Sequence, residues 1–82
     1  MINTVVFFIK DTSSIQTMKT VLETLAAAFP DVPSILQADV VNVPGKENPM
    51  VTLPLPSDRI ETIMSRLDLE MENQGLHKVR PA

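Results

Sequence analysis

Hydrophobic positions along this chain change period several times, and each change marks an element. Thr4-Val5-Val6-Phe7-Phe8-Ile9 is apolar from Val5 to Ile9 without polar alternation, which predicts a strand covered on both faces and so central in its sheet. From Ser13 to Phe29 the period becomes helical: Ile15, Met18, Leu22, Leu25 and Phe29 recur at three- and four-residue steps, with Ala26 beside them. Thr17, Lys19, Thr20, Glu23 and Thr24 fall on the other side. Ser13 with Gln16 fits a capping box, and Pro30 ends the helix. Ile35 to Val43 reads as a second strand, with Leu36, Ala38 and Val40 on one face and Ile35, Gln37, Asp39, Val41 and Val43 on the other. Pro44-Gly45-Lys46-Glu47-Asn48-Pro49 is a turn. Met50 to Leu55 is a third strand, with Val51, Leu53 and Leu55 alternating onto one face. A strand centre needs backbone N–H donors, so Pro54 is expected at this strand's end.

A second amphipathic helix runs from Ser57 to Asn73. Asp58 and Glu61 can cap its start reciprocally, and Ile60, Ile63, Met64, Leu67 and Met71 form its apolar stripe. Gly75 suits the C′ position after it. Leu76-His77-Lys78-Val79-Arg80 is short and polar-rich, as an outer strand protected by charge would be. The order is therefore β-α-β-β-α-β, the split βαβ plan of ferredoxin-like folds. It predicts an α+β domain over residues 1–82: a four-stranded antiparallel sheet in order 4-1-3-2 with both helices on one face.

Eighty-two residues, 44% hydrophobic and 21% charged, fit one folded domain with a modest core. No apolar run approaches the roughly 20 residues that span a bilayer. Met1-Ile2-Asn3 lacks the basic start of a secretory signal, and Val5 to Ile9 is too short for its apolar segment. The absence of cysteine then makes the cytoplasm the expected location. Seven basic against ten acidic side chains leave a net charge of −3, the opposite of the basic face that nucleic acids require.

Chemistry has few candidates. Lys10, Thr12, Ser13 and Ser14 follow a central strand and open a helix, where free backbone N–H groups, hydroxyls and an ammonium favour an anionic ligand. The plainer reading is that Ser13 caps the helix. His77, the single histidine, has no cysteine and no close carboxylate in sequence, so it reads as exposed. Asp68, Glu70 and Glu72 read as a solvated helix face. Met18, Met64 and Met71 lie on core stripes and fill gaps there; Met50, at the turn, does not. No metal centre, cofactor or catalytic set is expected, and the chain is expected not to be an enzyme.

Motifs of families built on the same plan separate them. RNA-recognition domains stack bases on aromatic residues of the first and third strands, and Met50 to Leu55 has none. Heavy-metal-associated domains need a Cys-x-x-Cys pair. Acylphosphatases use a glycine-rich loop with an arginine. The general layout is similar to small regulatory domains of the ACT and NIL types, which implies amino-acid or other small-ligand binding at a dimer interface near Lys10 to Ser14. The stronger expectation concerns surplus hydrophobicity. Two helices cover one sheet face, so Phe7 or Phe8, whichever points away, should be exposed beside Val5 or Ile9. Val41 and Val43 fall on the outer face of the second strand, and Leu69 lies about 180° from Ile60 on the second helix. Val5, Phe7, Phe8, Val41, Val43 and Leu69 are thus the candidate interface residues. A protein partner or a second copy, most simply in a dimer, is the expected occupant.

Overall fold

The computed structural model describes residues 1–10 and 12–80. Its elements are β1 (Ile2–Ile9), α1 (Ile15–Ala28), β2 (Asp39–Val41), β3 (Met50–Pro56), α2 (Ile60–Asn73) and β4 (Lys78–Val79), with single 3₁₀ turns at Thr12–Ser14, Pro33–Gln37 and Ser57–Arg59. The strands form one antiparallel sheet in the order β2-β3-β1-β4. This is the expected order read from the opposite edge, in an α+β layout. Among the described residues, no helix is long and apolar enough to cross a membrane.

The β1–β3 register carries the architecture. Val5 pairs with Leu53, Phe7 with Val51 and Phe8 with Met50. Ile9 N–H donates to Pro49 O at 3.0 Å, and Ser57 N–H donates to Met1 O at 2.9 Å, which closes the ladder at both ends. Ser57 adds a side-chain tie: Asn3 Nδ2 donates to its Oγ at 2.6 Å, and that Oγ donates to Met1 O at 3.1 Å. Val51, Leu53, Leu55 and Ile9 turn toward the helices and are fully buried, together with Met18 and Leu25 of α1 and Ile63 and Leu67 of α2. The alternation in β3 and the stripes in both helices meet in this one core.

Pro54 is not at the end of β3. It lies inside it, opposite Thr4. Backbone groups of an antiparallel strand point alternately to its two neighbours. Ser57 directs its N–H at β1, so Pro54 and Pro56, displaced from it by odd steps, direct their nitrogens at the β2 side. Pairing with β2 stops at Thr52. Both prolines therefore occupy positions with no acceptor to satisfy, and they remove donors from an open edge.

The second strand is much shorter than Ile35 to Val43. Pro33 starts a 3₁₀ turn in which Ile35 N–H donates to Val32 O and Ala38 N–H to Ile35 O, at 3.2 and 3.1 Å. That turn buries Ile35 and leaves Leu36 77% exposed, separating two residues whose apolar character reads alike in sequence. The last strand likewise contracts from Leu76–Arg80 to β4.

Both helices are entered through 3₁₀ turns. Their N-caps are Ser14 and Arg59, neither with a side-chain capping bond, so the starts lie beyond the expected Ser13 and Asp58 caps and i→i+3 backbone bonds tighten the entry. The end of α2 is as expected. Gly75 has φ +71°, its N–H donates to Glu72 O at 3.0 Å, and Leu76 N–H donates to Met71 O at 2.9 Å. This is a Schellman arrangement, with buried Leu76 and Met71 as its apolar contact. Gly45, at φ +80°, follows Pro44 in a turn closed by Lys46 N–H to Val43 O at 3.0 Å, the pattern of a type II turn.

Candidate functional site: the open sheet face

Because side chains alternate along a strand, the residues between the buried ones point away from the helices. On β1 these are Ile2, Thr4, Val6 and Phe8; on β3 they are Met50, Thr52, Pro54 and Pro56. The pairings Val41–Met50, Met50–Phe8 and Phe8–Val79 place four apolar residues in one row across all four strands. Asp39, Thr52 and Val6 make the adjacent row. Ile2 and Val6 are each 52% exposed, while Val41, Met50, Phe8 and Val79 are half-buried. Exposed apolar surface carries about 25 cal/mol per Å² of unrealised transfer free energy, so a continuous row of it marks a surface suited to being covered.

The register resolves the two phenylalanines. Phe8 points away from the helices, and its neighbours on that face are Val6 and Met50. Phe7, Val5 and Ile9 share the helix side, where Val5 and Phe7 pack against the core. Lys78 Nζ stands 5.1 Å from the Phe7 ring centroid and 2.7 Å from Asp68 Oδ1, so Phe7 is capped by a cation that α2 holds in place. Of the expected interface residues, Phe8 and Val41 thus lie on the open face and Val5 and Phe7 beneath the helices. Val43 is half-buried just beyond β2. Leu69 is 52% exposed on α2, in the helix layer on the other side of the sheet. Ile2, Val6, Met50 and Val79 belong to the face and escaped the sequence reading. The signal for them was the alternation of Val51, Leu53 and Leu55, which fixes the parity of the facing strand once the two are paired.

The helix layer, packed on the apolar core, carries surface ion pairs. Arg59 donates to Asp31 Oδ2 at 2.9 Å and lies 5.7 Å from the Phe29 ring centroid, linking the start of α2 to the segment after α1. That hydrogen bond to the Arg59 guanidinium, with one from Asp31's own backbone, holds the Asp31 carboxyl below its ordinary value of 3.8. Arg66 pairs with Glu70 at 3.1 Å. Asp68 and Glu70 thus have separate partners, Lys78 and Arg66, while Glu72 and His77 are exposed. Among the described residues, no group of three or more His, Cys, Asp or Glu could hold a metal ion.

Lys10 and Ser13 are exposed, and Ser14 is a half-buried N-cap with φ −84° and ψ −7°. The side chain of Thr12 lies outside the described residues, as does Asp11. Concavity occurs elsewhere. A groove of about 200 Å³ lies between α1 and the Pro33–Gln37 turn with β2, lined by Leu22, Ala26, Ile35 and Leu36, with Lys19 and Glu23 among its other walls. A second depression, of about 440 Å³, lies at the end of α2 around Met71, Leu76 and His77. Among the described residues of the expected anion loop, Lys10, Ser13 and Ser14 line neither.

No family model matches the chain, and no curated protein matches it.

Proposed function

We propose that the protein is a non-enzymatic interaction module, a small adaptor, complex subunit or inhibitor, that works in the cytoplasm by presenting its open sheet face to a protein partner. The observation that carries this reading is the apolar row Val41–Met50–Phe8–Val79, which crosses all four strands with no helix over it. Val6, at 52% exposure, extends the row along the central strand. Asp31, Asp68 and Glu70 are engaged in surface ion pairs, and a sheet presents its side chains with little freedom to lose on binding.

Affinity capture from the source cell tests it. The wild type, Val6→Lys and Leu69→Lys are compared side by side. Val6→Lys places an ammonium in the centre of the face, where covering it costs desolvation. Captured proteins should be lost with Val6→Lys and kept with Leu69→Lys. Equal capture by Val6→Lys and the wild type would remove the face from the account.

A further inference from the structure

We propose that the occupant of the open face is a second copy of this chain, stacked sheet to sheet about a twofold axis passing near Val6, in a weak, concentration-dependent dimer. The inference rests on the preceding reading that this face is the interface, and names the partner.

Charge is the first argument. The chain carries a net charge of −3, and a twofold axis brings a surface against itself, so any surface rich in one sign repels its own copy. The helix layer exposes Glu23, Glu61, Asp68 and Glu72 against Lys19 and Arg66, with Asp68 paired to Lys78. Among the described strand residues that point away from the helices, Asp39 is the one ionisable group. It sits on the edge strand β2, and its Oδ1 already accepts the Val40 N–H at 2.8 Å. Two copies of an acidic chain can therefore meet here without opposing carboxylates at the centre. A partner chosen by charge complementarity would find only Asp39, at the edge of this face.

Shape is the second argument. Sheets stack about 10 Å apart with interdigitated side chains. Phe8 and Met50 carry longer side chains than Val6 and Thr52 in the adjacent row, a size difference that suits interdigitation. Val6 and Thr52 pair near the middle of the two central strands, which places them where a twofold brings a residue close to its own copy.

Area sets the strength. β1 has eight residues, β3 seven, β2 three and β4 two, so at about 3.3 Å by 4.8 Å per residue the face projects about 320 Å² per copy and about 640 Å² for the pair. Stable specific complexes bury about 1,200 Å² or more. The pair falls below that size, so self-pairing is weak and concentration-dependent.

Sedimentation velocity from about 5 µM to about 1 mM reads this directly, because mass action populates a weak dimer only at the upper end. The wild type should move from 9.1 kDa toward twice that mass, and Val6→Lys should stay at the monomer mass with a wild-type circular dichroism spectrum. Should Val6→Lys not fold, Val6→Cys supplies the same test. The chain has no cysteine of its own, so a short bis-maleimide should join Val6→Cys to itself and leave Leu69→Cys monomeric. A wild type that remains at 9.1 kDa up to about 1 mM overturns self-pairing, as does faster cross-linking of Leu69→Cys than of Val6→Cys. The two readings fail separately. A permanent monomer whose captured proteins are lost with Val6→Lys refutes the dimer alone, whereas capture indifferent to Val6→Lys refutes the face as an interface.

Discussion

Neighbouring strands of this sheet hold two aliphatic residues whose truncation should differ several-fold in cost, for no reason except the face each one occupies. Val6 is 52% exposed on the open side and Leu53 is fully buried on the helix side. Val6→Ala removes two carbons, each worth about 0.8 kcal/mol when buried; with half of that burial present, the loss is about 0.8 kcal/mol. Leu53→Ala removes three fully buried carbons, about 2.4 kcal/mol of transfer, and leaves a cavity among Val5, Val51, Leu55 and the helices that raises the total to about 3–4 kcal/mol. For a domain of this size the second figure is comparable with the entire folding free energy. Urea unfolding followed by circular dichroism measures both. With a slope of about 1 kcal/mol/M, Val6→Ala should lower the midpoint by about 0.8 M and Leu53→Ala by about 3 M, or leave it without a folded baseline. The protein must be dilute, at about 2 µM, so that self-association does not add to apparent stability. Equal shifts, or a larger one for Val6→Ala, would refute the register and with it the assignment of the open face.

Other substitutions probe single features. Gly75→Ala should cost about 1–2 kcal/mol and lower the melting temperature by several degrees, because φ is +71° while an added Cβ meets nothing within 4 Å; Gly75→Asn should cost less. Ser34 Oγ is buried with no hydrogen-bond partner, so Ser34→Ala should leave the urea midpoint unchanged or raise it by up to about 0.5 M; a clear loss would contradict that environment. The Asp31 carboxyl is held below its ordinary value of 3.8 in the fold, so its contribution is present above that pH and fades as pH falls through the lower folded value. Arg59→Ala should therefore be less stable than the wild type at neutral pH, and the two should converge in acid; a gap independent of pH would locate the role of Arg59 in its packing on Phe29.

Sequence periodicity carried the element order and most of the core, because amphipathic helices and an alternating third strand state their buried sides directly, while Val21, Val32, Ile35 and Leu76 joined the core unannounced. It carried less of the interface. In β1 the run from Val5 to Ile9 is apolar at every position, which hides parity: Val5 and Phe7 read no differently from Val6 and Phe8 until pairing with Val51 and Leu53 divides them. The Pro33–Gln37 turn was hidden for a related reason, since Ile35 and Leu36 have strand-like composition and only the 3₁₀ bonds send one into the core and the other into solvent. Pro54 looked like a break in β3 because a proline inside a strand is tolerated only where a neighbour has ended, and the end of β2 at its pairing with Thr52 is a tertiary fact.

The account stands on which surface becomes covered. Methyl-labelled protein examined by NMR with a soluble paramagnetic agent reports it directly, in dilute solution and again with captured partner or at high protein concentration. In the dilute chain the methyls of Val6, Met50, Leu36 and Leu69 should broaden, and those of Leu53 and Leu67 should not. On association Val6 and Met50 should become protected while Leu36 and Leu69 remain accessible. Protection of Leu36 or Leu69 with Val6 still exposed would contradict the account and move the interface to the helix layer.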